Sequence, residues 1–311
     1  MRNEFIDLLS EAASRDPRIL LVTADLGYGV VEKFRERVPS QFFNLGITEQ
    51  SAVSICSGLA ASGYRPFLYS IANFPTFRAM EQIRNDMSYM NLPVTIVALG
   101  EGLSYGSAGY SHHLVEDIGA LRSLGTVSIF SPTHTNEISA SLEKILTSHS
   151  PSVIRLGKKP ARDLKVRESA KTFDGFTRHS EGGHDLIVFH GGLLDVISDA
   201  KEVLMERGFS PSVYSCFHFE RDSIDVFLQS HPQFSILVVE EHVLAGGLGS
   251  IFLESANEVG WMGKIKRLGI SQIDAQSVGS QEYLRKIYGI DSQNIVSSFV
   301  NLLGQDVKKF S

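Results

Sequence analysis

Short apolar runs rich in β-branched residues alternate with longer segments of helical spacing along almost the whole chain. In the first half the strand-like runs fall at 19–24, 41–44, 66–71, 94–99, 126–130 and 153–156. Helical patterns occupy 4–14, 48–62, 76–90, 114–123 and 136–147. A chain that alternates this way returns each strand through a helix, which predicts a mostly parallel sheet flanked by helices. The run Val94-Thr95-Ile96-Val97-Ala98-Leu99 has almost no polar alternation, as expected of a strand covered on both faces. After Gly183 the alternation resumes, with strands at 186–189, 212–216, 236–240 and 265–268 and helices at 193–207, 244–259 and 281–288. Between the two stretches Lys158, Lys159, Arg162, Lys165, Arg167, Lys171 and Arg178 are spread among few large apolar residues, which reads as a surface connection. The 311 residues are therefore expected to form two α/β domains, 1–157 and 184–311, joined by 158–183.

Charge and motif content narrow the function. Lys plus Arg number 29 against 35 Asp plus Glu, a net charge of −6 with no basic cluster, so a nucleic-acid face is not expected. No stretch approaches the roughly 20 apolar residues of a membrane span, and Met1-Arg2-Asn3-Glu4 does not open a signal peptide. Two cysteines, Cys56 and Cys216, make no disulfide framework and fit a cytoplasmic setting. There is no Gly-x-Gly-x-x-Gly after the first strand, no Gly-Lys-Ser/Thr, no Cys-x-x-Cys and no His-Glu-x-x-His. The adjacent His112 and His113 lack zinc-ligand spacing, and no metal site is expected in this chain.

Three segments can carry chemistry. Glu49 begins a small-residue, nearly apolar helix (Ala52, Val53, Ile55, Cys56, Gly58, Leu59) that is expected to be deeply buried. A carboxylate there is favoured by the helix N-terminus and disfavoured by burial, a balance that suits proton sharing with a ring nitrogen; a solvated capping acid fits equally. Phe74 and Phe77 follow a strand, where open α/β sheets bind ligands, and can stack on a flat ring or fill core. The 14-residue loop 100–113 holds four glycines and ends in Ser111-His112-His113. Loops of that length and position usually carry function, and a histidine there can move protons or simply face solvent.

Taken together, Gly46-Ile47-Thr48-Glu49-Gln50, Arg78-Ala79-Met80-Glu81-Gln82-Ile83-Arg84, Ser111-His112 followed by Glu116-Asp117-Ile118, and Val238-Val239-Glu240-Glu241-His242 with Gly246-Gly247-Leu248-Gly249 resemble the C-terminal half of transketolase and of deoxyxylulose phosphate synthase. The resemblance spans nearly the whole chain. It implies a thiamine-diphosphate pyrimidine-binding domain followed by a smaller C-terminal domain. It implies that Glu49 bonds the aminopyrimidine N1′, that Phe74 stacks on the ring, that Phe77, Ile47 and Ile71 line its pocket, and that Asp25 lies at a subunit contact near the cofactor. Ser111 and His112 would meet the substrate. The Gly-Asp-Gly…Asn motif that holds the diphosphate and Mg²⁺ in this family is not found here. The resemblance therefore implies one subunit of a split enzyme, an α₂β₂ heterotetramer in which the diphosphate and metal are held by a separate N-terminal subunit.

Departures from the family pattern bear on the substrate. The acid that recognises a sugar hydroxyl falls at Ala108, the histidine after the preceding strand at Gly100, the phosphate-binding serine at Gly29 and the phosphate-binding arginine at Lys158. The expected activity is transfer of a two-carbon ketol unit to a sugar acceptor other than a simple pentose phosphate. The alternatives are the β subunit of a 2-oxo acid dehydrogenase and a non-catalytic paralogue.

Overall fold

The computed structural model describes residues 1–157 and 171–304. The first domain is a six-stranded, all-parallel sheet of β1 (Ile19–Thr23), β2 (Phe42–Asn44), β3 (Arg65–Ile71), β4 (Thr95–Leu99), β5 (Ser128–Phe130) and β6 (Ser152–Leu156), in the order β2-β1-β3-β4-β6-β5. Its helices are α1 (Arg2–Ala13), α2 (Glu32–Arg37), α3 (Glu49–Ala61), the single turn α4 (Met80–Gln82), α5 (Asp117–Arg122) and α6 (Thr135–Thr147). Successive side chains of β4 face opposite cores. Val97 and Leu99 pack with Phe5, Phe34 and Ile138, while Ile96 and Ala98 pack with Val53, Cys56 and Ile118. That two-sided burial is why 94–99 carries no polar alternation.

The chain leaves β1 toward β2 on one side and returns to β3 on the other. This reversal opens a crevice at the carboxyl ends of β1 and β3, the usual ligand position in such sheets. Asp25 and the turn Ala72-Asn73-Phe74 flank it.

The second domain holds β7 (Lys171–Phe173), β8 (Phe176–Ser180), β9 (Asp185–Phe189), β10 (Ser212–Cys216), β11 (Ser235–Val243) and β12 (Lys264–Ile270), in the order β12-β11-β9-β10-β8-β7. Four strands are parallel, and the β7–β8 hairpin adds antiparallel to β10. Helices α7 (Leu194–Glu206), α8 (Arg221–Ser230), α9 (Leu248–Glu258), α10 (Gln281–Ile287) and α11 (Ser292–Leu302) complete it. The hairpin corrects the reading of 158–183 as a surface connection throughout. Asp174 and Gly175 both take positive φ, the geometry of a tight hairpin turn, and Phe176 and Thr177 are buried. The remainder of that segment, 158–170, lies outside the described residues.

The glycine run after β11 is a packing device. Gly246 has φ of 78°, and a Cβ there would stand 2.6 Å from the Gly119 Cα of the first domain. Gly247 and Gly249 let the Glu240 carboxylate accept from the Leu248 and Gly249 N–H groups at 2.7 and 3.1 Å, capping α9.

A buried polar layer joins the domains. Arg155 on β6 forms a two-point pair with Asp117, Nε to Oδ2 at 2.8 Å and Nη2 to Oδ1 at 3.1 Å. Its Nη1 donates to Ser131 Oγ, which donates to Glu101 and contacts His190 Nδ1 across the interface at 3.0 Å. Leu103 N–H donates to Glu241, itself held by Arg285, and Ile118 N–H donates to His242 Nε2. His134, Glu137 and His179 also gather at the interface, with the Ser215 hydroxyl bonded to both Glu137 and His179.

Burial sets the titration of these groups and of His218, whose ring stacks on Phe130. It raises Glu101 and Glu240 to about 7, lowers His218 and His242 to about 4 and His179 to about 3, and holds His190 well below its ordinary value. The histidines stabilise the fold above about pH 6.5, where the unfolded chain is also neutral, and that contribution is lost as pH falls. The two glutamates act oppositely, favouring the fold when protonated and losing that contribution as pH rises through 7. Four groups outweigh two between pH 6.5 and 4.5, so the urea midpoint should be highest near neutrality and fall from pH 7 to 5.5. A midpoint that is flat or rises on acidification contradicts this.

Candidate active site

Glu49 is the first residue of α3, and only 2% of it is exposed. Its Oε2 accepts from Arg78 Nη1 at 2.7 Å, and its Oε1 accepts from Ser70 Oγ, at the end of β3, at 3.4 Å. The helix is less buried than its composition predicts. Ala52, Val53, Cys56 and Ala60 face the core, but Ile55 is 44% exposed and Ser51, Ser54 and Gly58 are open. Small residues here produce two faces rather than one deep helix.

Just beyond β3, Ala72 adopts φ of 38° and the chain turns through Phe74. The Phe74 ring carries the Arg78 guanidinium on one side, Cζ 4.4 Å from its centroid, and meets the His112 ring edge-on at 5.2 Å. Asn73 Nδ2 donates to the Ser111 carbonyl at 2.8 Å and so ties this turn to the glycine-rich loop. His112 Nδ1 lies 3.0 Å from Ser111 Oγ. The structure thus gathers Glu49, Phe74, Ser111 and His112 from three separate segments.

The glycine-rich loop serves two purposes. Its first half packs against the second domain: Gly102 lies against the Glu241 side chain, and Gly106 lies against Leu284 and Gly279. Its end returns to Phe74. The glycine at 100, where the resemblance leads to an expectation of histidine, has a physical reason. A Cβ at Gly100 would stand 2.0 Å from the Tyr105 ring, which itself lies 6.4 Å from His112. Tyr105 therefore takes up the space beside His112. A cleft of about 330 Å³ adjoins, lined by Asn73, Phe77, Tyr110, Ser111, His113 and Glu116.

Asp25, Gly29 and Ile47 sit apart from Phe74, on the β1–β2 side. Asp25 Oδ1 accepts from Asn44 Nδ2 and from the Tyr28 hydroxyl, both at 3.0 Å, and these bonds, Asn44 first, hold its carboxyl below the ordinary value. Asn44 Oδ1 accepts from the N–H groups of Asp25 and Gly46, linking β1 to the turn that delivers Glu49. Gly29 has φ of 76° with open space around it, and Ile47 is 73% exposed. Ile71 ends β3 partly buried against the α3 side of the core, and Phe77 is 38% exposed. Lys158 lies outside the described residues. Arg78, Ser70, Asn44 and Tyr105 do not stand out individually in the sequence. Arg78 stands in the Arg-Ala-Met-Glu-Gln run, but its pairing with a carboxylate 29 positions earlier has no local signal.

This crevice and this pair of sheets define a two-domain α/β protein of the transketolase type. The chain belongs to the transketolase family: residues 1–162 match the transketolase pyrimidine-binding domain and residues 176–295 the transketolase C-terminal domain. It is 29% identical over 309 residues to one of the subunits of an apulose-4-phosphate transketolase from Actinobacillus succinogenes, covering 97% of this chain and 98% of that one. It is 26% identical over 298 residues to a 6-deoxy-6-sulfo-D-fructose transketolase subunit of a Clostridium species, covering 95% and 92%. Its fold superimposes on a solved structure, a split gene transketolase described as an inactive beta4 tetramer, with a TM-score of 0.85, 26% identity and coverage of 97% and 98%. Among the described residues no helix is long and apolar enough to cross a membrane.

Proposed function

We propose that this chain is the C-terminal subunit of a split, thiamine-diphosphate-dependent transketolase-like enzyme that moves a two-carbon ketol unit. The observation that carries the reading is the joint placement of Glu49 and Phe74. A buried carboxylate and an aromatic face converge at the β1/β3 crevice, and a flat cationic group already bridges them. That is the donor-and-stacking pattern an aminopyrimidine presents, so the residues fit the cofactor. When bound, thiamine diphosphate supplies the nucleophilic carbon and the electron sink for C–C bond cleavage and formation.

The chain's own residues hold, orient and move protons. Glu49 is fixed by its helix and by Ser70, and its carboxyl exchanges a proton with a ring nitrogen. Phe74 sets the plane of the ring. His112, oriented through Nδ1 by Ser111, turns Nε2 to the substrate oxygen. Asp25, Ile47, Ile71 and Phe77 complete the cofactor side of the crevice.

Relatives of the same length carry the name of separate transketolase subunits, which supports an N-terminal partner holding the diphosphate and Mg²⁺ in an α₂β₂ assembly. Tyr28, Phe43, Ile47 and Ile55, on the segments that follow β1 and run through β2 into α3, leave exposed apolar side chains for that partner to cover. The cysteine pattern fits a cytoplasmic location. We further read the acceptor as a modified sugar. Gly29 and Ala108 lack the side chains of simple pentose-phosphate recognition, Tyr105 reshapes the space beside His112, and two relatives carry unusual sugars in their names. The test is co-purification with the companion subunit, followed by ketol transfer assays. Xylulose 5-phosphate with ribose 5-phosphate should turn over at least tenfold more slowly than the pair's own modified acceptor. Full-rate turnover of the pentose phosphates contradicts the acceptor reading, and release of CO₂ from a 2-oxo acid contradicts ketol transfer.

A further inference from the structure

We infer that Arg78 is a built-in, displaceable occupant of the ring site, which keeps Glu49 charge-paired until the cofactor's aminopyrimidine replaces it. The inference rests on the proposed ring-binding role of Glu49 and Phe74.

Two contacts define a ring at this site, a hydrogen bond to the Glu49 carboxyl and stacking on Phe74. Arg78 makes both. Its Nη1 donates to Glu49 Oε2 at 2.7 Å, and its planar guanidinium lies over the Phe74 ring at 4.4 Å. A guanidinium is flat, cationic and rich in N–H donors, so it satisfies an acid and an aromatic face together. It cannot keep both contacts while a pyrimidine makes them.

The asymmetry of the pair decides which partner moves. The Glu49 side chain is 1% exposed and anchored in the first turn of α3, whereas the Arg78 side chain is 43% exposed. Withdrawing a half-exposed guanidinium into water costs little, while moving the acid would require breaking the helix start. Arg78 also lies in the short helical segment Phe77–Ala79, so rotating its side chain disturbs no strand. Without Arg78, the empty site would hold a buried carboxylate whose remaining side-chain bond is the 3.4 Å contact with Ser70. Such an unpaired charge destabilises a fold strongly. The device therefore serves the unloaded subunit and competes with ring binding, reducing apparent affinity by the fraction of molecules in which Arg78 is seated.

The probe is 4-amino-5-hydroxymethyl-2-methylpyrimidine, titrated into the full chain and followed by NMR. Arg78→Met should bind it about tenfold more tightly than the unaltered chain, equivalent to ~1.4 kcal/mol. Arg78→Lys, which keeps the charge and loses the planar fork, should fall between them. The gain should vanish when Glu49→Gln is combined with Arg78→Met. Independently, Arg78→Met alone should lower the urea midpoint, and either the probe or the added Glu49→Gln change should restore it. Unchanged or weaker probe binding in both Arg78 variants overturns the inference and leaves the ring-site reading standing. Binding by none of the proteins at saturating probe overturns both.

Discussion

Glu49→Gln is expected to lower ketol-transfer turnover of the reconstituted pair by about 10²–10⁴-fold, the usual range for a lost proton-transfer group. The two subunits should still co-purify. The amide is nearly isosteric with the acid and keeps one oxygen, enough to accept from either Arg78 or Ser70, which now donate to separate carboxylate oxygens. What it loses is the ability to take and return a proton. Removing a buried charge also leaves the fold intact, because Arg78 is half-exposed and can turn to solvent. A purely structural acid would give the opposite pattern, with unaltered turnover in the protein that assembles. Activity and assembly must therefore be measured on the same preparation.

Arg155→Met is expected to destabilise the chain by about 3–5 kcal/mol, the range for breaking a buried ion pair from one side. Arg155 is 1% exposed and Asp117 is fully buried. The guanidinium meets Asp117 at two points, Ser131 Oγ at 3.2 Å and the Leu114 carbonyl at 2.9 Å. Methionine fills much of the volume and satisfies none of these groups. Asp117 then keeps an uncompensated charge at the start of α5, beside the loop that leads from His112. Adding Asp117→Asn should recover a large part of the loss, because the stranded charge is gone. Urea unfolding of the two variants checks this. A loss below about 1 kcal/mol would mean that the layer carries little of the fold's stability.

These two residues mark how far the amino-acid order can be read. The strands are legible because parallel strands buried on both faces leave unbroken apolar runs, as in β4. The β7–β8 hairpin is hidden by its setting: Asp174-Gly175 is a hairpin signal, but it lies at the end of a basic stretch that reads as solvated. Helices α2, α8 and α11 escape a reading by pattern because Glu32–Arg37 is almost wholly charged and the other two begin with polar residues. Glu49, Phe74 and His112 stand out because each follows a strand or opens a helix. Arg155 and Arg78 do not. One sits inside an apolar strand and pairs 38 positions away, and the other looks like any cation on a solvated turn. Pairing across the fold leaves no mark in local spacing.

We propose that this chain supplies the pyrimidine half of a cofactor site that a partner completes. Equilibrium binding of thiamine diphosphate with Mg²⁺, measured on this chain alone and on its complex with the companion subunit, tests it most directly. Tight binding of one cofactor per copy of this chain is expected in the complex, and at least 100-fold weaker binding by the chain alone. Equal affinity with and without the partner, or a complex that binds no cofactor, would contradict it.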